Sequence, residues 1–369
     1  MPAAWTHTAL AQQIHFGEGA LRHLAGLVKA TGARKALLVT TEGRLSSAEG
    51  ADVTKALGRT LASTFAEVTS HVPVPSVQQA VLQARRDGID LVVSFGGGSC
   101  ADLGKAVCFF LEQEAGMAGA SHLDRPLVPH VAIPTTYSGA ELTPFFGMTD
   151  PTTRQKQGAG GPTSAPVGAI YDPLLTVSTP PRVSAETGMN ALAHCVEAVW
   201  SPARTPEAEA IALAGVAAIH AALPAVVVRP EDLAARTAML EGACLAGRCL
   251  LNAGMGVHHG LAQLVGGRTG IPHGLANAVL LAHSVRYNAE AAPAEVGRIG
   301  AALGAPTDAA GAIDRLREAV GLPGRLSESG VDEADLEAVA RLSQSNHNVA
   351  RNPRPVSEAD ALAILQAAW

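Results

Sequence analysis

LVVSFGGGSCADLGKA, residues 91–106, reads as a buried strand that runs through a glycine cluster straight into a helix. Leu91 to Phe95 is apolar at every position but Ser94, the length and texture of a strand covered on both faces. Gly96-Gly97-Gly98-Ser99 ends it, and the helix that follows carries Asp102 and Lys105. Glycines at such a junction let an anion approach the backbone N–H groups of a helix N-terminus, where the helix dipole favours negative charge. The spacing is not GxGxxG. The same residues would also serve as a plain tight turn, with Asp102 and Lys105 a solvated pair on one helix face.

Three further strands are expected at Ala36 to Thr40 (ALLVT), Val128 to Ile133 (VPHVAI) and Val167 to Tyr171 (VGAIY). Apolar runs alternating with helical patterns imply a parallel sheet with helices on both faces. Pro134 to Glu141 (PTTYSGAE) puts hydroxyls just beyond the third of these strands, where open α/β sheets bind ligands; alone, it could equally be a hydroxyl-capped turn. With the glycine cluster it points to a dinucleotide site, whose expected contacts are Gly97, Gly98, Ser99, Asp102, Lys105, Thr135, Thr136, Ser138 and Thr143, with Thr41 after the strand at Ala36. Val39-Thr40-Thr41-Glu42 places a threonine, then an acid, where the choice between NADH and NADPH is made, and both cofactors stay open.

After Asp172-Pro173 the texture changes to long helical patterns, at Ala185 to Trp200, Glu207 to Leu223 and Glu231 to Leu251, with Pro180-Pro181 as the break. The expected organisation is an α/β dinucleotide-binding domain over 1–178 and an all-helical substrate domain over 179–369. Thr152 to Ala165, rich in Gly, Thr and Pro, is expected to be an exposed loop or hairpin.

Composition narrows the function classes. The 369 residues carry 27 Lys+Arg against 33 Asp+Glu, a net charge of −6, which argues against nucleic acid or an anionic membrane surface as partner. No apolar run is read as approaching the roughly 20 residues that cross a bilayer, and Met1 to His15 lacks a basic segment followed by an apolar stretch, so a cytoplasmic protein is expected. The five cysteines form no CxxC pair, which indicates neither a disulfide framework nor a thiolate zinc site.

In the helical half, Asn190 and His194 share a helix face, and His258, His259 and His273 follow from later segments. A single histidine is more often a satisfied core residue; a set converging from several helices is how bundle interiors build catalytic or metal sites. Here the chain resembles the iron-containing (group III) alcohol dehydrogenase superfamily, through FGEGALRHL (16–24), GGGSCADLGKA (96–106), IPTTYSGAELT (133–143), MNALAHCVEA (189–198) and HHGLAQLVGGRTGIPHGLANAVLLAH (258–283). The resemblance implies the dehydroquinate synthase-like fold, with a dinucleotide-binding domain, a helical domain and a cleft between them. The superfamily's metal site, an Asp and three His, maps onto Asn190, His194, His259 and His273. A neutral amide replaces the anionic carboxylate, so no catalytic metal is expected.

That asparagine, with PTTY (134–137), HVPVP (71–75), IYDPLLTV (170–177) and the His258-His259 doublet, resembles the maleylacetate reductase branch. The branch implies NADH- or NADPH-dependent reduction of the enone double bond of maleylacetate to 3-oxoadipate in aromatic degradation, by a homodimer acting on a small unsaturated keto dicarboxylate. The implied catalytic residues are His194, His259 and His273, assisted by His258, Asn190 or Tyr137. Arg248, Arg268 and Arg351 are candidate carboxylate partners by neighbourhood, and each is also an ordinary surface arginine. Two features depart from the branch: Gln263 stands where a histidine is usual, and Gly274 to Ala278 follows the alcohol dehydrogenase form. A metal-dependent alcohol or polyol dehydrogenase, or a relative acting in biosynthesis, is the alternative.

Overall fold

The computed structural model describes residues 4–7, 9–117, 126–152 and 155–369. The chain packs as two units: residues 9–136 with 140–178, and residues 179–369 joined by 4–7 and 137–139. Residues 4–7 and 137–139 thus pack with the helical unit, outside the single division expected at 178/179. Pro180 is the N-cap of a helix and Pro181 its first residue, the position where a missing N–H costs nothing.

The first unit is built on six parallel strands: β1 (Gln13–Phe16), β2 (Ala36–Val39), β3 (Leu61–Phe65), β4 (Leu91–Gly96), β5 (His130–Pro134) and β8 (Gly168–Tyr171), in the order β1-β8-β5-β4-β2-β3. The helices are α1 (Leu24–Thr31), α2 (Glu42–Leu45), α3 (Ala48–Leu57), α4 (Val74–Asp87) and α5 (Gly98–Glu114). Because side chains alternate along a strand, β2 feeds both faces: Leu37 and Val39 join a core with α4 and α5, and Ala36 and Leu38 join a second with α1 and α3. β1 and β3 were not foreseen in the sequence. Both are short edge strands that keep exposed or half-buried residues, so neither reads as a continuous apolar run.

The progression of strands reverses between β2 and β4, since β2 leads outward to β3 and β4 leads the other way to β5. The carboxyl ends of that pair, Thr40-Thr41 and Gly96-Gly97, therefore flank a switch point, the position where open α/β sheets take their ligands. The stretch from Thr152 to Ala165 contributes to an antiparallel hairpin, β6 (Phe145–Asp150) with β7 (Gln155–Gly160), and to the turn Pro162–Ser164; Thr153 and Arg154 lie outside the described residues.

The second unit is helical among its described residues: α6 (Pro181–Trp200), α7 (Pro206–Val228), α8 (Leu233–Ala253), α9 (Val257–Thr269), α10 (His273–Asn288), α11 (Pro293–Ala302), α12 (Ala309–Ala319), α13 (Glu333–Ser343) and α14 (Glu358–Ala368). Thr205, Asp232, Asp308 and Ser357 begin four of them by accepting a hydrogen bond from an N–H of the first turn. From Ser184 to Trp200 every residue of α6 except Thr187 is buried, as expected of a helix with neighbours all round: α7, α8 and α10 pack on it.

The expectation that no apolar run approaches membrane-spanning length does not hold for α7. α7, 23 residues long, is by length and composition apolar enough to cross a membrane. Gly215, His220 and Pro224 interrupt its apolar run in the sequence and concealed it. It begins with Glu207 and Glu209 in its first turn and packs against α6, α8 and α11.

Candidate active site

α6 carries Asn190, His194 and Glu197 at i, i+4 and i+7, one face of the helix. Asn190, His194, His258, His259 and Glu197 are all buried, while His273, the first residue of α10, is half-buried. The rings converge: His194 stacks on His259 at 4.6 Å between centroids, His258 meets His259 edge-on at 5.1 Å, and His273 lies 6.1 Å from His259. His259 is thus the centre of the cluster.

Glu197 organises it. α9 has no side-chain cap of its own at Gly256. Instead Glu197 Oε1 accepts from the backbone N–H of Gly256 and of His258, both at 3.0 Å, and Oε2 accepts from that of His259 at 3.2 Å. Asn352 Oδ1 takes the Val257 N–H at 3.3 Å, so the opening N–H groups of α9 are closed by two side chains. Gly256 permits the approach, since a Cβ there would meet Asn352 Oδ1 at 2.9 Å and Glu197 Oε1 at 3.0 Å. Glu197 Oε2 also lies 2.6 Å from His259 Nδ1. A carboxylate only accepts, so Nδ1 carries the proton and donates it to Glu197.

His258 is fixed differently. Asn277 Nδ2 donates to the His273 carbonyl at 2.8 Å, which leaves Asn277 Oδ1 to accept from His258 Nε2–H at 2.8 Å. Burial pushes His258 down to about 4, against the pull of Glu197. Burial, then the neighbouring His259 and His258, hold His194 well below the usual imidazole range, so it is neutral at working pH. Glu197 is pushed up by burial and held down by His258 and the N–H groups it accepts from.

The remaining expected residues fall in other places. Tyr137 is fully buried with its hydroxyl bonded to Arg236 Nη1 at 3.0 Å, and Arg236, itself buried, also donates to Ser184 Oγ and to the carbonyls of Pro230 and Thr179. Tyr137 is therefore committed to a structural partner. Arg248 and Arg268 pair with Glu207 and Asp335 on the surface, and Arg351 is exposed. Gln263 Oε1 accepts from Asn348 at 3.2 Å. Glu197, Asn277, Asn352 and Arg236 were given no role in the sequence reading. The signal for Glu197 was present, seven residues after Asn190 in the quoted MNALAHCVEA helix.

Gly274 has a local cause. A Cβ there would lie 2.6 Å from the Glu186 carbonyl oxygen of α6, so the first turn of α10 packs on backbone. Gly274→Ala is expected to destabilise the helical unit by about 1–3 kcal/mol, read as a lower denaturant midpoint.

In the α/β unit, the N-terminus of α5 is capped by no side chain: Gly97 is its N-cap. A Cβ on Gly97 would sit 3.1 Å from Thr136 Cγ2, and Gly96, at φ +146°, would bring one to 2.5 Å from Cys100 Sγ. The glycines thus keep open a cradle of N–H groups beside Thr135 and Thr136, which suits a pyrophosphate. Lys105 and Thr143 lie within the unit instead. Fully buried Lys105 Nζ contacts Asp102 Oδ1 at 2.9 Å, the Ala140 carbonyl at 2.8 Å, Thr143 Oγ1 at 3.4 Å and the Phe145 carbonyl, tying α5 to segment 140–145. Thr41 accepts from Arg44 N–H as the N-cap of α2. Ser138 belongs with the helical unit.

Residues 11–173 match the iron-containing alcohol dehydrogenase family model, and residues 184–369 match the model of the C-terminal part of the Fe-containing alcohol dehydrogenase family. The chain belongs to the iron-containing alcohol dehydrogenase family. Within that family it falls in the maleylacetate reductase branch: it is 36% identical to maleylacetate reductase from Burkholderia cepacia over 362 residues, covering 98% of this chain and 96% of that protein. The crystal structure of maleylacetate reductase from Rhizobium sp. strain MTP-10005 superposes with a TM-score of 0.87 at 34% identity, covering 100% of this chain and 98% of that one. A 1,3-propanediol dehydrogenase from Klebsiella pneumoniae is also similar, at 34% identity over 372 residues and 96% of each chain. The chain is accordingly an oxidoreductase of an NAD(P)-dependent family.

The family name raises the question of iron. The positions that the resemblance assigns to it hold three imidazoles and the neutral amide of Asn190, a donor set without an anion. Among the described residues no group of three or more His, Cys, Asp or Glu side chains is arranged to hold a metal ion. This set lacks the negative charge that would offset a divalent cation, and what its side chains offer by themselves is hydrogen-bond and proton donors.

Proposed function

We propose that the protein is a maleylacetate reductase that works through hydrogen-bond and proton donors, reducing the enone double bond to give 3-oxoadipate in aromatic degradation. The observation that carries this reading is a pair of buried polar atoms, Asn190 Oδ1 and His194 Nδ1, that lack a hydrogen-bond partner beside the His259 stack. Buried polar groups are normally satisfied, so atoms of this kind mark where a polar ligand or water completes the set. The similarity to maleylacetate reductases supports the choice of substrate.

NADH or NADPH, when bound, supplies a hydride. Its addition beta to the ketone leaves an enolate to be stabilised and then protonated at the alpha carbon. His194, kept neutral by burial, would donate a hydrogen bond to the enolate oxygen, and Asn190 Oδ1 would accept from a water or ligand donor beside it. His273, the least buried imidazole, would pass a proton from solvent to the alpha carbon. His259, oriented by Glu197, would position both the ring of His194 and the substrate. The substrate is a small soluble dicarboxylate; a cytoplasmic homodimer is the expected form.

A second reading, a metal-dependent alcohol dehydrogenase, draws support from the 1,3-propanediol dehydrogenase relative and from the Glu197–His259 pair, since metal-ligating histidines commonly donate their other N–H to a carboxylate. The test is to follow nicotinamide absorbance with maleylacetate using protein purified without chelator, with metal analysis on the same sample. Turnover that persists after chelation is the expected result. Stoichiometric iron or zinc whose removal abolishes turnover would overturn the metal-free mechanism, and turnover of diols but not maleylacetate would overturn the substrate.

A further inference from the structure

We propose that Glu67, on the loop after β3, makes the dinucleotide site selective for NADH over NADPH. The inference rests on the dinucleotide reading of the α/β unit and deepens it.

Cofactor choice in such sheets is made at the carboxyl end of the strand beside the switch point, where a carboxylate accepts from the ribose 2′-hydroxyl and repels a 2′-phosphate. In this chain that strand is β2, and Thr41 follows it. The Thr41 side chain is already used, since it accepts from Arg44 N–H to begin α2. The backbone then brings an acid to the same spot from the next strand. Thr40 N–H donates to the Phe65 carbonyl at 2.9 Å, Val68 N–H donates to the Thr40 carbonyl at 3.4 Å, and Thr41 and Glu67 form an isolated antiparallel bridge. Residues directly opposed in an antiparallel pair have Cβ atoms about 5 Å apart on one face of the ladder. Glu67 therefore stands beside Thr41, supplying the carboxylate that Thr41 lacks.

Two further observations agree. Glu67 is exposed and takes part in no ion pair among the described residues, so its charge is not neutralised there. Arg44, three residues after Thr41, directs Nη1 to Ser178 Oγ at 2.7 Å. A 2′-phosphate at this place would meet the Glu67 carboxylate, whereas a 2′-hydroxyl would find an acceptor.

The test is direct binding, measured by nicotinamide fluorescence in titrations of the full chain with NADH and with NADPH, without substrate. The wild-type protein is expected to bind NADH about tenfold or more tightly than NADPH, a gap of the size expected for like charges at one site. Glu67→Gln should bring the two within about threefold, and Glu67→Arg should invert the order. Glu42→Gln, which alters the other acid of this turn, should leave the preference in place. Equal binding of both cofactors by the wild type, or relaxation in Glu42→Gln and not in Glu67→Gln, overturns the role of Glu67 and leaves the dinucleotide site standing. If neither cofactor binds, the dinucleotide reading fails and this inference with it.

Discussion

Glu197→Gln is expected to lower kcat by about 10²-fold or more while KM changes by no more than a few-fold, because the amide can present a donor to His259 Nδ1 and permit the other tautomer. In the native arrangement one carboxylate accepts from His259 Nδ1 and from three backbone N–H groups at the start of α9. Glu197→Ala leaves all four donors buried without it, and a loss of about 3 kcal/mol or more in unfolding free energy is expected. Steady-state kinetics on the accepted substrate, run beside chemical denaturation, separate the two effects. Unchanged kcat in a stable Glu197→Gln protein would remove Glu197 from any role in orienting His259.

Acid should weaken the α/β unit through His130. This imidazole, on β5, is buried with Nε2 at 2.7 Å from Ser94 Oγ, and burial, aided by Lys105, pushes it down to about 3 from 6.5. Between those values the unfolded chain holds a proton that the folded one does not. Its contribution is therefore fully present above about pH 6.5 and falls by about 1.4 kcal/mol per pH unit as pH drops towards 3. The ring cannot easily move aside to find solvent, since Gly104 of α5 sits so close that a Cβ there would be 2.7 Å from His130 Nε2. Urea melts followed by circular dichroism across this range should show the slope, and His130→Gln should flatten it. An identical slope in the variant would assign the acid sensitivity elsewhere.

The parts of this protein legible in its sequence are those where a single segment carries the whole signal. β4 running into Gly96-Gly97 reads as a strand and an open helix N-terminus because both the apolar run and the glycines are contiguous. Asn190 and His194 read as one face because helical spacing is local. What escaped depended on partners distant in the chain. Lys105 looks like a phosphate ligand until segment 140–145 is seen to surround it, and Tyr137 looks catalytic until Arg236 claims its hydroxyl. Glu197 is visible in the motif, yet its role appears only when the N-terminus of α9, some sixty residues on, is brought to it. Gly274 departs from the reductase form for a reason that lies in the Glu186 carbonyl, which no spacing rule reports.

The cysteines have a practical consequence. Cys100 and Cys108 are sealed in the α/β unit and Cys195 and Cys249 in the helical one, while Cys244 is half-buried. A thiol-reactive dye should thus register a single early equivalent, and later ones only as each half opens. The chain comes with its own internal timers, two sulfurs to each half, by which breathing of one can be clocked apart from the other.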